Sequence, residues 1–432
     1  MIMVINTDYL ERSLESWPFA NTKPSSWLNQ LRANAIDQAS MLRLPTKRDE
    51  EWRFTDISAL THLPFRPSQP ENIIHIGDVE HLFLKEAKIR LVFIDGYFSS
   101  SLSIFDPTSL TVGNLPMFLS SNSAYLESHL GRLAKYEDNV FTALNTAFLS
   151  DAAVVSIPKN ATVRDPIHLL FIATQNEVTN YPRCLLVCEE GSNITLVEEY
   201  IAHNNSKYIT NSVSEFFLAP HANVKHIRIQ RENLEAFHLA NCAVSLDRAS
   251  QYQSINISTG ARISRYNHNV FLNDEAAECV IDGLTMISNQ QLADTHSCID
   301  HIKPHGTSHQ QHKCIVNEKA HAVFNGRIVV RPHAQQTNSS QSSRNLLLSK
   351  TAQVDTKPQL EIFANDVKCA HGATVGQLEE EELFYLESRG LSPATARSLL
   401  TYAFGAEIIN RIPVTSLRQR LEQAILTQES KS

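Results

Sequence analysis

Gly191-Ser-Asn-Ile-Thr-Leu-Val-Glu-Glu-Tyr200 and Pro220-His-Ala-Asn-Val-Lys-His-Ile-Arg-Ile-Gln230 share one design, in which small turn formers lead into a β-rich run. The same design recurs at Ala153–Ile157, His168–Ala173, Cys184–Cys188, Ser212–Leu218, Ala240–Leu246, Tyr252–Ile257 and Arg262–Phe271, and further runs follow through Phe363. Turn formers such as Ser258-Thr-Gly and Asn273-Asp-Glu separate them. No helical pattern interrupts the series, which argues against repeated βαβ units. The turns near Gly191, His221, Arg248, Glu275 and Pro304 are 30, 27, 27 and 29 residues apart, and the series continues near Lys319 and Thr351. Such a spacing suits one coil of a parallel β-helix, where each coil buries its inward residues against the next. A pair of β-sandwiches is the competing architecture.

The fold expected is therefore mainly β, with a parallel β-helix core at 151–376. Before it, 1–150 reads as a helical and mixed region. Apolar residues recur at helical steps in Trp27-Leu-Asn-Gln-Leu-Arg-Ala-Asn-Ala-Ile36, strand-like pieces such as Ile89-Arg-Leu-Val-Phe-Ile-Asp-Gly96 follow, and Val140 to Leu149 is again helical. After it, 377–432 reads as a helical domain. Gln377 to Gly390 carries acidic residues early and Arg389-Gly390 at its end, Ser392-Pro393 reads as an N-cap followed by N1, and Leu417 to Leu426 is amphipathic. These helices can cap the open edge of a solenoid or offer a docking stripe to another protein.

Composition excludes several functions. Of 432 residues, 42% are apolar and 19% charged, with a net charge of −8, so a nucleic-acid scaffold with a basic stripe is disfavoured. No apolar run reaches the roughly 20 residues of a membrane helix. Met1 to Leu10 has neither signal-peptide nor transit-peptide character. Seven cysteines, an odd number with no C-x-x-C, point to buried free thiols in a reducing, cytoplasmic setting. P-loop, G-x-S-x-G, H-E-x-x-H and G-x-G-x-x-G signatures are all missing from the sequence. Neighbouring acids such as Glu189-Glu190 and Glu198-Glu199 alternate faces on a strand and read as solvated charges.

Two groups of candidate ligands remain. His296, Cys298, His301, His305, His309, His312 and Cys314 crowd one stretch, with His321 and His333 beyond. Imidazole and thiolate suit zinc or iron, but alternation along strands would scatter these residues over several faces. Cys369 and His371, in Asn365-Asp-Val-Lys-Cys-Ala-His-Gly-Ala-Thr-Val-Gly376, are two apart and share a strand face, as two ligands of a bridging site would. Glycines at 372 and 376 let the backbone turn there.

Asp355-Thr-Lys-Pro-Gln-Leu-Glu-Ile-Phe-Ala-Asn-Asp-Val-Lys-Cys-Ala-His-Gly-Ala-Thr-Val-Gly376 closely resembles the signature of the SufB/SufD family of iron–sulfur cluster assembly scaffolds. Leu383-Phe-Tyr-Leu-Glu-Ser-Arg-Gly-Leu391, Lys319-Ala-His-Ala-Val-Phe-Asn-Gly326, Asn345-Leu-Leu-Leu348 and Arg48-Asp-Glu-Glu-Trp-Arg-Phe-Thr-Asp56 match the family as well. Within it the chain resembles the SufD type. Ser343 stands about where the SufB sibling carries a persulfide-forming cysteine, and no cysteine lies between Cys314 and Cys369.

This resemblance implies a right-handed β-helix and a non-catalytic subunit. It implies a SufB-type sibling paired through the last coils, a SufC-type ATPase on the helices from Gln377 to Arg411, and ATP bound only by that ATPase. Iron or a nascent Fe–S cluster would sit at the interface of the two siblings, with His371 as ligand and Cys369 as a weaker helper. A role in iron acquisition, a reduced flavin in the complex and a homodimer without the sibling are further implications. The rival readings are a carbohydrate-active β-helix enzyme and a zinc enzyme built on the histidine cluster.

Overall fold

The computed structural model describes residues 9–20, 26–61, 63–70, 74–106 and 112–428. Met1 to Asp8, most of the stretch inspected above for a leader, lies outside the described residues. The helices before the solenoid are α1 (Tyr9–Glu15), α2 (Trp27–Met41), the single turns α3 (Ser58–Thr61) and α4 (Ile76–Val79), α5 (Leu115–His129) and α6 (Val140–Ala147). Four short strands lie among them: β1 (Arg66–Pro67), β2 (Ile89–Ile94), β3 (Tyr97–Phe98) and β4 (Val112–Asn114).

From β5 (Ala153–Ile157) the chain is strand after strand. The first coils hold β6 (Ile167–Ala173), β7 (Val178–Asn180), β8 (Arg183–Cys188), β9 (Asn193–Ala202), β10 (Tyr208–Leu218) and β11 (Asn223–Arg231). The middle coils hold β12 (Phe237–Leu246), β13 (Gln251–Ser258), β14 (Ile263–Leu272), β15 (Glu278–Ile287), β16 (Leu292–His301) and β17 (Thr307–Val316). The last hold β18 (His321–Val330), β19 (Thr337–Leu347), β20 (Gln353–Ile362) and β21 (Val367–Gly376). From β8 onward the long strands pair in parallel with the strand two places on. One sheet runs β20-β18-β16-β14-β12-β10-β8-β5-β4 and the other β21-β19-β17-β15-β13-β11-β9-β6-β2-β3. The result is a β-solenoid of about eight turns.

The repeat seen in the sequence is the stack of turns. Gly191, His221, Ala249, Ala276, His305 and Gln336 all have φ between 50° and 67°, and each donates its N–H to a carbonyl of the next coil, as His221 does to Arg248 and His305 to Gln335. A left-handed residue at each corner reverses the chain and aims its amide along the solenoid axis. A second stack, at Ala261, Asn289 and Glu318, turns the other corner; the markers near Lys319 and Thr351 belong on that side.

Inside, apolar ladders fill the early coils, among them Ile194–Val224–Tyr252–Cys279 and Leu218–Leu246–Leu272. Two glycines make room for large neighbours. A Cβ on Gly283 would lie 2.2 Å from the His312 ring, and one on Gly326 would lie 2.1 Å from Gln341 Nε2. Gln341 cannot retreat freely, because that nitrogen bonds Gln310 Oε1 at 2.7 Å. Gly326→Ala should therefore destabilise by about 1–3 kcal/mol, the usual cost of overpacking. An unchanged urea midpoint would show that the interior gives way easily.

Helices cover the two outer faces. Ile209, Phe237, Leu239 and Ile263 of the first sheet pack against α2 and α6. On the second sheet Val197, Ile227, Ile229, Ile255 and Ile257 pack against Ile408, Ile409 and Ile412, at and beyond the end of α8 (Pro393–Ile409), and against Leu417 and Leu421 of α9 (Thr415–Gln428). Arg411 bonds Asp282 at 2.6 Å and Arg420 bonds Glu199 at 2.7 Å across this seam. Ser392 caps α8 by accepting from Thr395 N–H, as its sequence predicts. Of the two roles left open for these helices, capping the solenoid end is not the one that α8 and α9 take. They lie along the flank, where their isoleucines meet an apolar sheet face, and β20 and β21 remain the last strands of their sheets. Among the described residues no helix is long and apolar enough to cross a membrane.

Candidate functional site

Among the described residues β21 pairs only with β19, so one whole side of its backbone meets no described strand. Its side chains alternate. Cys369 faces the interior, half-buried against Ile328, Val330, Ala334 and Ala364, in register with Ser339. His371 follows two residues later in register with Gln341, and it is exposed because no coil covers it. Burial pushes the Cys369 thiol up, against the lowering effect of a hydrogen bond with the Ser339 backbone. The pair thus presents one exposed imidazole and one largely protonated thiol at the uncovered end.

Beneath them the solenoid interior turns polar. Ser339 Oγ bonds Ser308 Oγ at 2.7 Å, and Ser308 bonds His301 at 2.9 Å. Gln341 donates to Gln310, and Gln310 to Ser297, both at 2.7 Å. Ser343 accepts from Thr356 at 3.1 Å. These ladders satisfy one another across coils, which is what keeps polar groups tolerable in a closed core.

The crowded histidine and cysteine stretch is dispersed by strand alternation. His296 and Cys298 face outward from β16, while His301 faces inward. His305 sits in a turn, and His309 faces outward from β17 with its ring on Ser340. His312 points in, stacked on Phe324 with ring centroids 4.5 Å apart, and Cys314 is buried. Among the described residues no group of three or more His, Cys, Asp or Glu gathers as metal ligands. His371 and Cys369 can offer only two donors, and a metal or cluster held there would need the others from outside the chain.

One reading is reversed. Glu198 and Glu199 do point to opposite faces, but neither is solvated, at 1% and 0% exposure. Glu198 points inward and bonds His226 at 2.9 Å, Ser214 at 2.9 Å and Tyr200. Burial alone would raise its carboxyl, but His226, Arg228 and Tyr200 outweigh that and hold it at about 2. Glu199 points outward and ties His168, Arg231 and Arg420 together. The charged partners that hold these carboxylates, His226 for Glu198 and His168, Arg231 and Arg420 for Glu199, lie 28 or more residues away, so no signal within one coil reveals them.

The Arg48–Asp56 motif also acquires a place. It lies across the outer face of β14 and β16. Thr55 bonds Asp294 at 2.5 Å, Glu51 reaches His296 at 3.1 Å, and Lys357 meets Glu50 at 2.8 Å. Arg265 donates to the Glu51 carbonyl at 2.6 Å and lies 4.2 Å from the Trp52 ring. Burial lowers the His296 ring, but Asp294 and Glu51 on its two nitrogens raise it further than burial lowers it.

Comparison with known proteins agrees with this architecture. A family model described as SUF system FeS cluster assembly, SufBD core domain, matches residues 171–404, and one described as SufBD protein N-terminal region matches residues 3–169. An iron–sulfur cluster assembly SufBD family protein of Synechocystis is 41% identical over 94% of this chain and 92% of its own length. The chloroplastic protein ABCI7 of Arabidopsis thaliana is 32% identical over 95% and 88%. The iron–sulfur cluster assembly protein SufD of Escherichia coli is 31% identical over 89% of each.

Proposed function

The chain belongs to the SufBD family of SUF-system iron–sulfur cluster assembly proteins, and from that premise we propose that it is a SufD-type scaffold subunit whose uncovered solenoid end forms half of a cluster-assembly site. The observation that carries this reading is His371, exposed on the last strand of its sheet two residues from Cys369. A sibling of SufB type adds its own edge strand there by main-chain pairing, the usual fate of an exposed edge. Ile362, Phe363 and Val375, 40–58% exposed, supply apolar contact at that end. The nascent cluster, or the iron that enters it, is cargo held between His371 and groups of the sibling, with Cys369 as helper.

The SufC-type ATPase docks on the C-terminal helices. α7 (Glu380–Ser388) buries none of its residues, and it exposes Phe384 at 73% and Tyr385 at 57%. ATP stays with that partner, and this chain carries no reaction step of its own. A reduced flavin is left to the complex rather than to this chain: among the described residues the cavity beside the Arg48–Asp56 motif is walled mainly by polar and charged groups, and its Trp52 ring is covered by Arg265. The same edge also fits a second copy of this chain when the sibling is missing.

Cluster assembly by the reconstituted three-protein complex carrying His371→Ala tests the proposal, with complex size checked in parallel. Loss of most of the cluster from an intact complex is expected. Undiminished cluster yield would remove His371 from the site and leave the chain a mechanical partner.

A further inference from the structure

The Arg48–Asp56 motif roofs a cavity of about 630 Å³ whose floor is the outer face of β14, β16, β18 and β20. Because strand side chains alternate, Asn267, Asn269, Asn325, Arg327 and Gln359 all face into it. We infer that this cavity is a binding site for a small oxyanion-bearing ligand, a carboxylate or a phosphate, anchored by Arg327. The cavity lies on the outer face of the first sheet, whereas His371 lies on the last strand of the second.

Most cations around the cavity are already committed. Arg43 is held by Asp49 at 2.5 Å, Arg265 by Asp294 at 2.5 Å, and His296 lies between Glu51 and Asp294 at 3.1 and 3.0 Å. Arg327 differs. Its nearest carboxylate, Glu361, is 3.7 Å away with both side chains more than 40% exposed, beyond hydrogen-bond distance. It also meets the Cys298 thiol beside it on β16 and feels the Glu51 carboxylate, which His296 already holds. The planar guanidinium therefore keeps directed donors for an acceptor in the cavity.

Carboxamides surround that guanidinium. Asn325 stands two residues before it on the same face, and Gln359 is its partner across the ladder on β20. The Asn325 and Gln359 carboxamides both line the cavity, which places their polar atoms within reach of a ligand there. An oxyanion there receives N–H from Arg327 and from the neighbouring Asn325 and Gln359, the mixed charged and neutral donor set that suits carboxylate or phosphate. The polar walls rule against an apolar ligand. Asp138, on the N-terminal wall, disfavours a ligand that is anionic along its whole length.

Isothermal titration of the full chain with inorganic phosphate and with malonate, at constant ionic strength, tests the inference without any cluster or partner. One-to-one binding of at least one probe is expected. Phosphate alone would identify a phosphate site, malonate alone a carboxylate site, and both a general oxyanion site. Arg327→Gln should weaken binding at least tenfold and Gln359→Ala severalfold, with the unliganded melting point unchanged because both side chains lie at the surface. No binding of either probe, or equal binding by Arg327→Gln, would overturn the assignment.

Discussion

Glu215→Ala should lower the stability of this protein by about 3–5 kcal/mol, the usual result of stripping one partner from a buried ion pair. Arg183 and Glu215 are both fully buried, with Nη2 to Oε2 at 2.5 Å. The carboxylate also accepts the N–H groups of Gly131, Leu133 and Ala134 at 2.8–3.0 Å. Arg183 in turn donates to Asn145 Oδ1 at 3.0 Å. One carboxylate thus joins the segment after α5, helix α6 and two strands of the solenoid. Removing it strands a guanidinium and three amides in a closed interface. A drop of that size is a large share of an ordinary domain's stability. It should appear as a strongly reduced urea midpoint, and as early proteolysis of the N-terminal region. Arg183→Met with Glu215→Leu should recover part of the loss, because no charge is then left unpaired, but not all, because the three amides still lack an acceptor. A midpoint like that of the unaltered protein for Glu215→Ala would show that this junction does not hold the region in place.

The second large effect concerns acid. His268, His301 and His312 sit inside the solenoid, and burial, first among the causes, pushes them down to about 3, 4 and 3. Each is neutral in the fold, whereas the unfolded chain takes up a proton near pH 6.5. Their contribution is complete above that pH and is lost as the pH falls from about 6.5 toward about 3. Each proton costs about 1.4 kcal/mol per pH unit, so three together steepen the loss to about 4 kcal/mol per unit once all are engaged. Glu198 adds to the trend lower down, between the ordinary carboxylate value and about 2. Stability measured from pH 8 to pH 5 should fall with a slope of about three protons or more, because burial also lowers His168 and His238. His312→Gln should remove about one of them while keeping a polar group near Thr285, which His312 contacts at 3.2 Å. A midpoint flat across that range would mean that these rings are protonated in the fold.

Much of the architecture was legible because it is local. A strand needs only a few β-rich residues between turn formers, so the runs at Ala153–Ile157, Cys184–Cys188 and Ala240–Leu246 fall within β5, β8 and β12. A corner needs one residue that tolerates a left-handed backbone, and its return every 27–30 residues betrayed the coil. The helix cap at Ser392 needs only its own next three residues. The scatter of the His296–Cys314 residues followed from side-chain alternation alone.

What stayed hidden depends on neighbours far along the chain. The solvated reading of Glu198 and Glu199 failed because His226 is 28 residues from Glu198 and Arg420 is 221 from Glu199. The Glu51–His296 contact spans 245 residues, and the motif that carries Glu51 says nothing of the strand it meets. The C-terminal helices carried an apolar stripe that would serve a cap, a partner or a flank equally well. By itself the sequence determined the coiled β architecture, the family and the candidate pair Cys369 and His371. Only the tertiary structure decided which charges are buried, where the helices lie and that His371 ends up exposed on an uncovered strand. The reason is that alternation and turn geometry are written within a few residues, whereas burial depends on which coil, helix or loop is stacked beside them.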